Sequence, residues 1–416
     1  MKYKMTLTQV RKILLMVAIA FFAFGSGFYL GQRKIKLEFE GYQPKITLDR
    51  QVPVGKEDVN FSLFWNVWDQ LAANYLDKGK VDAKKMVYGA ISGMVSSLGD
   101  PYTVFLPPQE QKLSQEDLAG SFEGVGIQLG YKDQKIAVIA PLSETPAEKA
   151  GVKPGDLIVN IKDSAKNIDK NTDGMNLQEA VNLIRGPKGS KVLLTLNRVG
   201  KGDFEVSLER STIVVKSVEL SYKDNIAVLK LTRFGERTYS EWITAIDEIS
   251  AKYQKGEITG MVLDVRNNPG GFLDGSIFIA SEFLKDGMVV KQDNGQKGGT
   301  QTYTVNRTGK LFDIPLLVLI NPGSASASEI LAGALQERNR AKLVGEKSFG
   351  KGTVQEAKEL TGGSGLHITV ARWLLPSGKS IDKEGVNPDY EVKMDENDQT
   401  IDPQLDKALE ILKTKE

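Results

Sequence analysis

Residues 314 to 338 read IPLLVLINPGSASASEILAGALQER and contain a strand-like run, a Pro-Gly turn and a helix-like run in direct succession. Three serines occupy alternate positions behind the turn. A serine held where a strand turns into a helix is a common position for a nucleophile. The stretch also permits a structural interpretation, because Ser326 and Glu329 form the S-x-x-E pattern of a helix capping box. These residues alone leave capping and catalysis equally open.

Outward from this stretch, strand-like and helix-like segments alternate between residues 211 and 392. They are NIAVLKLTRF, EWITAIDEIS, GMVLDVRNN, IPLLVLI and AKLVGE. Alternation of this kind is typical of a layered α/β domain. We therefore predict an α/β core over this part of the chain.

A second turn also follows a predicted strand directly, at GMVLDVRNNPGG, which ends in Gly270 and Gly271. A glycine pair leaves open the backbone N–H groups that a side chain would crowd. A helix beginning near Ser326 adds free N–H groups and the positive end of its dipole. The two turns together would bind an oxyanion, as acyl transfer requires. An ordinary β-turn is the alternative interpretation of NNPGG.

The proton acceptor for such a serine is not an obvious histidine, since the chain has a single one. His367 lies in the strand-like alternation of GSGLHITVARW without a nearby carboxylate, and we expect a structural role for it. The serines also lack a surrounding G-x-S-x-G elbow and a following S-x-x-K pattern.

The stretch GEKSFGKGTVQ, residues 345 to 355, offers a lysine instead. It nearly matches a phosphate-binding loop, but Gly352 stands where that motif needs a hydroxyl for magnesium, so nucleotide binding is a remote alternative. Burial would lower the pKa of Lys351 and allow it to act as a general base. The amide of Gln355 would orient the amine without adding a charge. The structural alternative is a solvated surface lysine.

The composition excludes several classes of protein and site. The 416 residues carry a net charge of +1, which gives no basic field for nucleic acid. The absence of cysteine excludes disulfides, thiolate nucleophiles and cysteine-bound zinc. A single histidine also argues against a histidine-based metal site. We expect no cofactor, no metal and no nucleic-acid partner.

The N-terminus combines a basic segment, MKYKMTLTQVRK, with the uncharged run ILLMVAIAFFAFGSGFYLG. The run is long enough to span a membrane, and we predict an uncleaved signal anchor, with a cleaved signal peptide as the alternative. The basic segment predicts a cytoplasmic N-terminus and places the rest of the chain outside the cytoplasm, in the periplasm or at the cell surface. Arg33, Lys34 and Lys36 follow the apolar run and weaken this charge asymmetry.

Helical spacing predicts two helices between residues 57 and 98. The first would place on one face Phe64, Val67, Trp68, Leu71 and Tyr75. We interpret the tryptophan and tyrosine positions as core packing.

The segment that follows is similar to a PDZ domain. The resemblance rests on GVGI at 124–127, AEKAGVKPGDLIVNI at 147–161 and the amphipathic helix NLQEAVNLIRG at 176–186. It implies a site for the terminal carboxylate of a peptide, formed by Gly124, Val125, Gly126 and Ile127, with the adjacent strand edge pairing with the tail. The polar segment KDSAKNIDKNTDGMN is a departure, and we predict an extended loop there.

Together with this PDZ-like unit, four further motifs resemble those of a carboxyl-terminal processing peptidase. They are DVRNNPGG, GSASASEI, GEKSFGKGTVQ and PSGKSIDKEGVNPD. Such enzymes are tail-specific S41 serine peptidases with a Ser–Lys dyad. The resemblance extends from the N-terminal helices to about Val392. It departs from the family pattern at Leu375, where a threonine is expected.

The resemblance also implies the catalytic roles. Ser326, the middle serine, would be the nucleophile, Lys351 the base and Gln355 its assistant. The oxyanion hole would use the backbone N–H groups of Ala327 and of Gly271, with Gly270 as the alternative donor.

One further residue receives a role from the resemblance. Arg185, in NLIRGPKGS, ends the predicted PDZ helix, where a cation is favoured for structural reasons alone. In related processing peptidases an arginine of this I-R-G motif connects an occupied PDZ groove to the ordering of the active site. The resemblance implies the same regulatory role for Arg185: tail binding at Val125 to Ile127 would move the PDZ unit and let Arg185 support the active arrangement of Lys351.

The sequence thus predicts a membrane-anchored, extracytoplasmic serine endopeptidase that needs no cofactor and binds apolar C-terminal tails of protein or peptide substrates. The alternative is a non-catalytic PDZ scaffold on an inactive peptidase fold, against which the intact dyad argues. A homo-oligomer is left open. The predicted order is a cytoplasmic N-terminus and anchor at 1–36, a linker at 37–56, a helical region at 57–112, a PDZ domain at 113–210, a peptidase core at 211–395 and a C-terminal helix at 396–416.

Overall fold

The computed structural model describes residues 11, 15–17, 35–40, 43–48, 60–295, 298–394 and 401–414. The chain divides into two units, Met1–Gly89 and Ala90–Glu416. The predicted anchor at 1–36 lies almost entirely outside the described residues. Among those that are described, no helix is both long and apolar enough to cross a membrane.

The first unit begins with two paired strands where the sequence predicted a linker. Strand β1, Ile35–Glu40, pairs antiparallel with strand β2, Gln43–Leu48. The alternating apolar and polar residues of IKLEFE fit a strand. The prolines nearby had favoured a linker, so that prediction is wrong for these segments.

Two helices follow, as the spacing predicted: α1, Ser62–Asn74, and α2, Ala83–Ser96, which runs into the second unit. Helix α1 buries none of its residues, so the prediction of core packing for its aromatic face is wrong. Its rings contact one another instead, with Trp65 edge-on to both Phe64 and Trp68.

The second unit continues with strand β3, Val104–Leu106, and helix α3, Pro108–Ala119. The helix has proline in its first turn and ends at Gly120 in the left-handed conformation, which glycine adopts without strain. Helix α3 therefore crosses the boundary that the sequence placed between the helical region and the PDZ domain.

The PDZ-like region is a small antiparallel sheet with two helices. Its elements are β4 Ser121–Gly124, β5 Ile127–Lys132, β6 Lys135–Pro141, α4 Pro146–Lys149, β7 Leu157–Asp163, β8 Ile168–Asn171, α5 Leu177–Ile184, β9 Lys191–Arg198 and β10 Gly202–Glu209. The strand order is β10-β9-β7-β6-β5, with β8 paired to β7. The segment predicted as an extended loop thus contains β8, because Ile168 to Asn171 find backbone partners on β7.

The remaining elements alternate between strands and helices. They are β11 Ser211–Val214, β12 Val218–Lys223, β13 Ile226–Leu231, α6 Thr238–Gln254, β14 Gly260–Asp264, α7 Leu273–Phe283, β15 Met288–Asp293, β16 Thr300–Thr304, β17 Leu316–Ile320, α8 Ala327–Glu337, β18 Lys342–Gly345, β19 Thr353–Glu359, β20 Gly365–Leu374, β21 Tyr390–Glu391 and α9 Pro403–Thr414. Strand β11 pairs with β4 of the PDZ-like region.

The core of this part is a six-stranded sheet in the order β12-β13-β14-β17-β18-β21, parallel except for β12. Helices α6, α7 and α8 pack on one face, and α9 packs on the other. Parallel strands need cover on both faces. Helix α9 supplies it through buried Ala408 and Ile411, so its prediction as a surface helix is wrong. The predicted layered α/β fold is confirmed.

A second, antiparallel sheet lies beside the first in the order β16-β15-β20-β19, with β3 paired to β20. In the parallel sheet, β14, β17 and β18 are neighbours. Their carboxyl ends lead into NNPGG, the serine turn and the Lys351 loop, respectively. Loops at the carboxyl edge of a parallel sheet commonly form the binding site, and here they bring together three motifs that are distant in sequence.

Candidate active site

The turn between β17 and α8 holds Ser326 in an unusual backbone conformation, with φ 56° and ψ −115°. A positive φ is strained for a serine and persists only where surrounding contacts enforce it. The side chain is partly buried at the first turn of a helix whose next nine residues are all buried. This is the strand–turn–helix geometry that presents a nucleophile, reached without a G-x-S-x-G sequence.

The two flanking serines are structural. Ser324 donates through its hydroxyl to the Val265 carbonyl at 2.8 Å, and Ser328 donates to the Asn268 carbonyl at 2.9 Å. Both serines are fully buried. These bonds fasten the serine turn to the turn that follows β14, and they leave the middle serine, Ser326, as the one that lines the cleft.

The capping-box interpretation is correct for Glu329 but does not account for the Ser326 side chain. The Glu329 carboxylate accepts a hydrogen bond from the Ser326 N–H at 2.8 Å. The Glu329 N–H also lies close enough to the Ser326 side chain to satisfy the geometry of a capping box. Its hydrogen bond, however, is to the Ser326 carbonyl oxygen at 2.9 Å. A cap made by backbone and carboxylate leaves the hydroxyl available for chemistry.

The glycine turn lies directly against the serine. A Cβ at Gly270 would lie 2.9 Å from Ser326 Cβ and 3.0 Å from the Ala327 nitrogen. Gly271 has φ 136°, and a Cβ there would overlap the Phe234 carbonyl oxygen. Only glycine fits either position, because both the backbone conformation and the contact exclude a side chain.

The two glycine N–H groups differ in their partners. The Gly270 N–H donates to the Asn268 side chain at 2.9 Å. Within the described part of the chain, no hydrogen bond is made by the N–H of Gly271 or of Ala327. This difference favours Gly271 over Gly270 as the donor that would pair with Ala327 in an oxyanion hole.

Lys351 lies on the loop between β18 and β19, partly buried, with Nζ 5.2 Å from the centre of the Tyr102 ring. Burial lowers the pKa of Lys351, while the negative charge of Glu329 acts in the opposite direction. Across the described ranges, Nζ has neither a hydrogen bond nor an ion pair. A lysine of this kind carries its proton less firmly than a surface lysine, as a general base requires.

Gln355 lies at the start of β19 and lines the same cleft as Lys351. Its amide nitrogen donates to the hydroxyls of Thr353 at 2.8 Å and Thr369 at 3.2 Å. It makes no hydrogen bond to Lys351 in the structure as described. Its predicted assistance to the lysine therefore remains a prediction.

His367 lies on β20, between its pairing partners Ala357 and Val104, and lines the cleft as well. Burial lowers the pKa of His367, and the positive charge of Lys351 lowers it further. No sequence pattern indicated this placement, because it results from the register of β19, β20 and β3.

One cleft of about 580 Å³ contains the predicted catalytic residues. It is lined by Ser326, Lys351, Gln355, Gly270 and Gly271, together with apolar side chains such as Phe272, Val354 and Trp373. The volume is that of a site for several residues of an extended peptide or for a small ligand.

Comparison with known proteins now identifies the chain. Residues 225–392 match peptidase family S41, residues 138–198 match the PDZ domain, and residues 23–109 match the N-terminal domain of the activating protease CtpB. The carboxy-terminal processing protease CtpA of Bacillus subtilis (strain 168) is 40% identical over 338 residues, which cover 81% of this chain and 70% of that protein.

The chain belongs to peptidase family S41. It is a serine-type peptidase with a PDZ domain, and the family predicted from the sequence is confirmed. The carboxy-terminal processing protease CtpB of the same organism is 35% identical over 92% of this chain and 78% of its own length. A solved structure described as an S41 protease, from Bacteroides fragilis NCTC 9343, covers 84% of this chain and 97% of its own, with a TM-score of 0.52 and 19% identity, and shows the same fold.

The PDZ domain of this S41 peptidase presents an open strand edge. Strand β5 is the last strand of its sheet, and α5 lies beside it, with the Leu177 N–H donating to the Tyr131 hydroxyl at 2.9 Å. Gly124 ends β4, Val125 is buried in the core, Gly126 has φ 78° and Ile127 begins β5. An edge strand beside a helix, preceded by such a loop, is the arrangement by which PDZ domains bind a peptide tail.

Arg185 of the S41 peptidase ends α5 and contacts α3 rather than Lys351. Its guanidinium pairs with the Glu116 carboxylate at 2.8 Å and lies 4.2 Å from the centre of the Phe122 ring. Its Cγ would be 3.7 Å from a Cβ at Gly124, so Arg185 also borders the GVGI loop.

Helix α3 in turn reaches the glycine turn of the catalytic cleft. Arg233 donates to the Asp117 carbonyl at 2.7 Å and also pairs with its carboxylate. The next residue, Phe234, donates to the Gly270 carbonyl at 2.9 Å and accepts from the Phe272 N–H at 2.8 Å. Sequence reasoning missed this path because no motif marks Glu116, and its contacts connect residues that are far apart in the sequence, 69 positions for Glu116 and Arg185 and 116 for Asp117 and Arg233.

Proposed function

We propose that this S41 peptidase is a carboxyl-terminal processing endopeptidase that cleaves peptide bonds with a Ser326–Lys351 dyad and selects substrates through its PDZ domain. The observation that carries the proposal is the shared cleft. A serine on a strained turn, a partly buried lysine and two glycine-rich turns line one cavity. The names of the two Bacillus subtilis relatives support the substrate class.

In the proposed reaction, Ser326 Oγ attacks the carbonyl carbon of the scissile bond while its proton passes to neutral Lys351 Nζ. The carbonyl electron pair moves to the oxygen, which accepts hydrogen bonds from the N–H groups of Gly271 and Ala327. The C–N bond then breaks, and the Lys351 ammonium returns the proton to the leaving amine. Water, deprotonated by Lys351, hydrolyses the acyl-enzyme and restores the serine.

Tail recognition would use the open edge of β5. The terminal carboxylate binds at Gly124, Val125, Gly126 and Ile127, and apolar tail residues lie between β5 and α5. Val125 and Gly126 lie between β4 and β5, outside either strand. Their N–H groups make no hydrogen bond to any described residue, which leaves them to receive the carboxylate.

Tail binding would also regulate cleavage through Arg185. An occupied groove changes the contact of Arg185 with Glu116, and α3 transmits the change to Arg233 and the glycine turn. For this to favour the active form, a tail must bind that form more tightly than the resting one. The contacts from Arg185 through α3 to the glycine turn favour an effect of Arg185 on the oxyanion side of the cleft. This effect would come in addition to the stabilisation of Lys351 that the family resemblance implies.

The N-terminal apolar run would anchor the enzyme with its catalytic region outside the cytoplasm. The support for this part is the charge and length pattern of residues 1–36.

The experiment that tests the dyad compares Ser326→Ala and Lys351→Ala with the wild type in a peptide-cleavage assay. Each variant should lose about 10⁴–10⁶-fold in kcat while keeping its Tm, since nucleophile and base act as one unit. Wild-type activity should rise with pH as Lys351 loses its proton and reach its plateau at a lower pH than an ordinary lysine would give, because burial lowers its pKa. Substantial cleavage by either variant would overturn the dyad, and cleavage by Ser326→Ala would overturn the serine mechanism itself.

A further inference from the structure

We infer that the Glu329 carboxylate is a positioning residue that fixes the Ser326 turn and the Lys351 loop relative to each other. The inference rests on the proposed dyad, because it concerns how the two members of that dyad are held. It assigns to Glu329 a role beyond the helix cap that the sequence pattern predicts.

The carboxylate is fully buried and accepts four hydrogen bonds, two on each oxygen. Oε2 accepts from the backbone N–H groups of Ser326 at 2.8 Å and Lys351 at 2.9 Å. Oε1 accepts from the Gly350 N–H and from the Ser348 hydroxyl, both at 2.6 Å. Three of the four donors are backbone N–H groups, which can only donate.

This arrangement exceeds what a capping box needs. A capping carboxylate satisfies the N–H of its own N-cap residue, three positions earlier. Here the same group also takes three donors from a loop 19 to 22 residues further along the chain. Because one oxygen serves both Ser326 and Lys351, their backbone nitrogens are held within two hydrogen-bond lengths of each other.

The Lys351 loop has further fixed points besides Glu329. Ser348 Oγ, while donating to Glu329, accepts from the Val386 N–H at 2.7 Å, and the Lys383 N–H donates to the Gly350 carbonyl at 2.8 Å. These contacts hold the outer side of the loop. On the side that faces the serine, the loop is held by Glu329 and by the Phe349 N–H, which donates to the Ser324 carbonyl at 3.0 Å; of these, Glu329 alone bonds the backbone of both Ser326 and Lys351.

Glu329 also acts through its charge. The groups facing Lys351 are the Tyr102 ring, the Glu329 carboxylate and His367. Of these, Glu329 stabilises the protonated amine, so removing its charge should make Lys351 a weaker base that deprotonates at lower pH. A loss of position and a change of titration should therefore occur together.

Glu329→Gln is the sharpest substitution because it keeps the size of the side chain. An amide has one oxygen and one NH₂ group. If the NH₂ replaces Oε2, it meets two backbone N–H groups, and if it replaces Oε1, it meets the Gly350 N–H. Either orientation leaves at least one buried backbone donor without an acceptor.

The matched control is Asp389→Asn. Asp389 is an exposed residue of the same catalytic region whose carboxylate, on a side chain that is 20% exposed, accepts from the Leu343 N–H, Lys342 and Gln336, each at 2.9 Å, outside the cleft. The Asp389→Asn variant loses a comparable set of hydrogen bonds, and the substituted residue does not contact the dyad. Comparison with this variant separates a general loss of stability from a loss of position.

We would measure kcat, KM, the pH profile and Tm of the full chain, together with fluorophosphonate labelling of Ser326 followed by mass spectrometry. Glu329→Gln should fold, lose about 100-fold in kcat with little change in KM, and label more slowly. Its acid limb should move to lower pH. Asp389→Asn should keep wild-type kcat and an unmoved acid limb.

Two outcomes would overturn the inference while leaving the dyad intact. One is wild-type kcat in folded Glu329→Gln. The other is a loss of kcat no larger than that of Asp389→Asn, with the acid limb of the pH profile unmoved. Cleavage by Ser326→Ala, or wild-type protein that does not label at Ser326, would overturn the proposed function and with it the inference. If Glu329→Gln does not fold, Ser348→Ala decides: it removes one donor and should lower kcat several-fold, and an unchanged kcat would reject the positioning role.

Discussion

The two sides of the catalytic cleft differ in how firmly their functional groups are held by hydrogen bonds. On the serine side, buried hydrogen bonds from Ser324 and Ser328 fasten the serine turn to the glycine turn. An exposed reciprocal pair between Asn267 and Asn321 also joins the two turns. On the lysine side, the backbone is also fixed, but the Lys351 amine lies over the Tyr102 ring and makes no hydrogen bond or ion pair within the described residues. The Gln355 amide is engaged by two threonines instead.

This difference shows which part of the site is preorganised. The backbone donors and the strained serine lie where they would act without further movement. The Lys351 amine, by contrast, makes no hydrogen bond within the described residues, and catalytic hydrogen bonds commonly tighten only when substrate binds. Control of the enzyme would therefore act most easily on the lysine side or on the Phe234–Gly270 contact, which α3 reaches.

Apart from the dyad variants, the largest expected effect comes from breaking the serine side of the cleft at Gly271. Gly271→Ala would place a methyl group against the Phe234 carbonyl oxygen in a backbone conformation that disfavours side chains. The displaced N–H could no longer meet the oxyanion, so kcat should fall at least about 10²–10³-fold. Steady-state cleavage, with Tm as the measure of folding, checks this prediction.

Gly256→Ala is the matched control, because Gly256 has φ 71° but open space around its missing Cβ and lies outside the cleft. It carries the same kind of backbone strain without the contact and should keep wild-type kcat. A folded Gly271→Ala enzyme that cleaves within tenfold of the wild type would show that the glycine turn is not part of the oxyanion site.

The sequence predicted the serine side of the cleft better than the lysine side, for physical reasons. Strand, Pro-Gly turn and helix are local patterns, so the position of Ser326 and the glycine pair could be anticipated from a few residues. The PDZ unit was predicted from its resemblance to a known domain, which rests on its turn glycines and amphipathic helix. Lys351 was found only as a lysine among glycines.

Other features depend on contacts between distant segments. The burial that lowers the pKa of Lys351, the four donors on Glu329 and the placement of His367 all depend on which strands become neighbours. The β1–β2 pair and the packing of α9 were missed because prolines and a polar helix face outweighed weak apolar patterns. Helix α3 has little amphipathic signal, so its connecting position could not be anticipated.

A smaller effect is expected where the PDZ domain meets α3. Arg185→Ala should lower tail-stimulated turnover about tenfold, within the usual range of coupling between two sites. Tail-peptide affinity, measured on the full chain carrying Ser326→Ala, should be nearly unchanged, because Arg185 would relay occupancy rather than bind the tail.

A double-mutant cycle identifies the route of this coupling. Glu116→Ala should have the same effect as Arg185→Ala, and the double variant should be no worse than either, since both remove one ion pair. If the losses of stimulated turnover in Arg185→Ala and Glu116→Ala multiply in the double variant, the two residues act independently and the path through α3 is rejected. Normal stimulated turnover in Arg185→Ala would reject the regulatory role altogether.

The smallest expected effect concerns His367, which lines the same cleft as the lysine but has no hydrogen-bond partner within the described residues. Burial lowers the pKa of His367, and the charge of Lys351 lowers it further, so both favour the neutral imidazole. A catalytic base contributes about 10²–10⁴-fold to the rate, whereas a wall residue contributes through fit alone. His367→Gln should therefore keep kcat within about threefold of the wild type and leave the acid limb of the pH profile in place. Lys351→Ala, assayed beside it, should be inactive. The reverse result, with His367→Gln inactive and Lys351→Ala active, would make the histidine the base and remove the lysine side of the cleft from the mechanism.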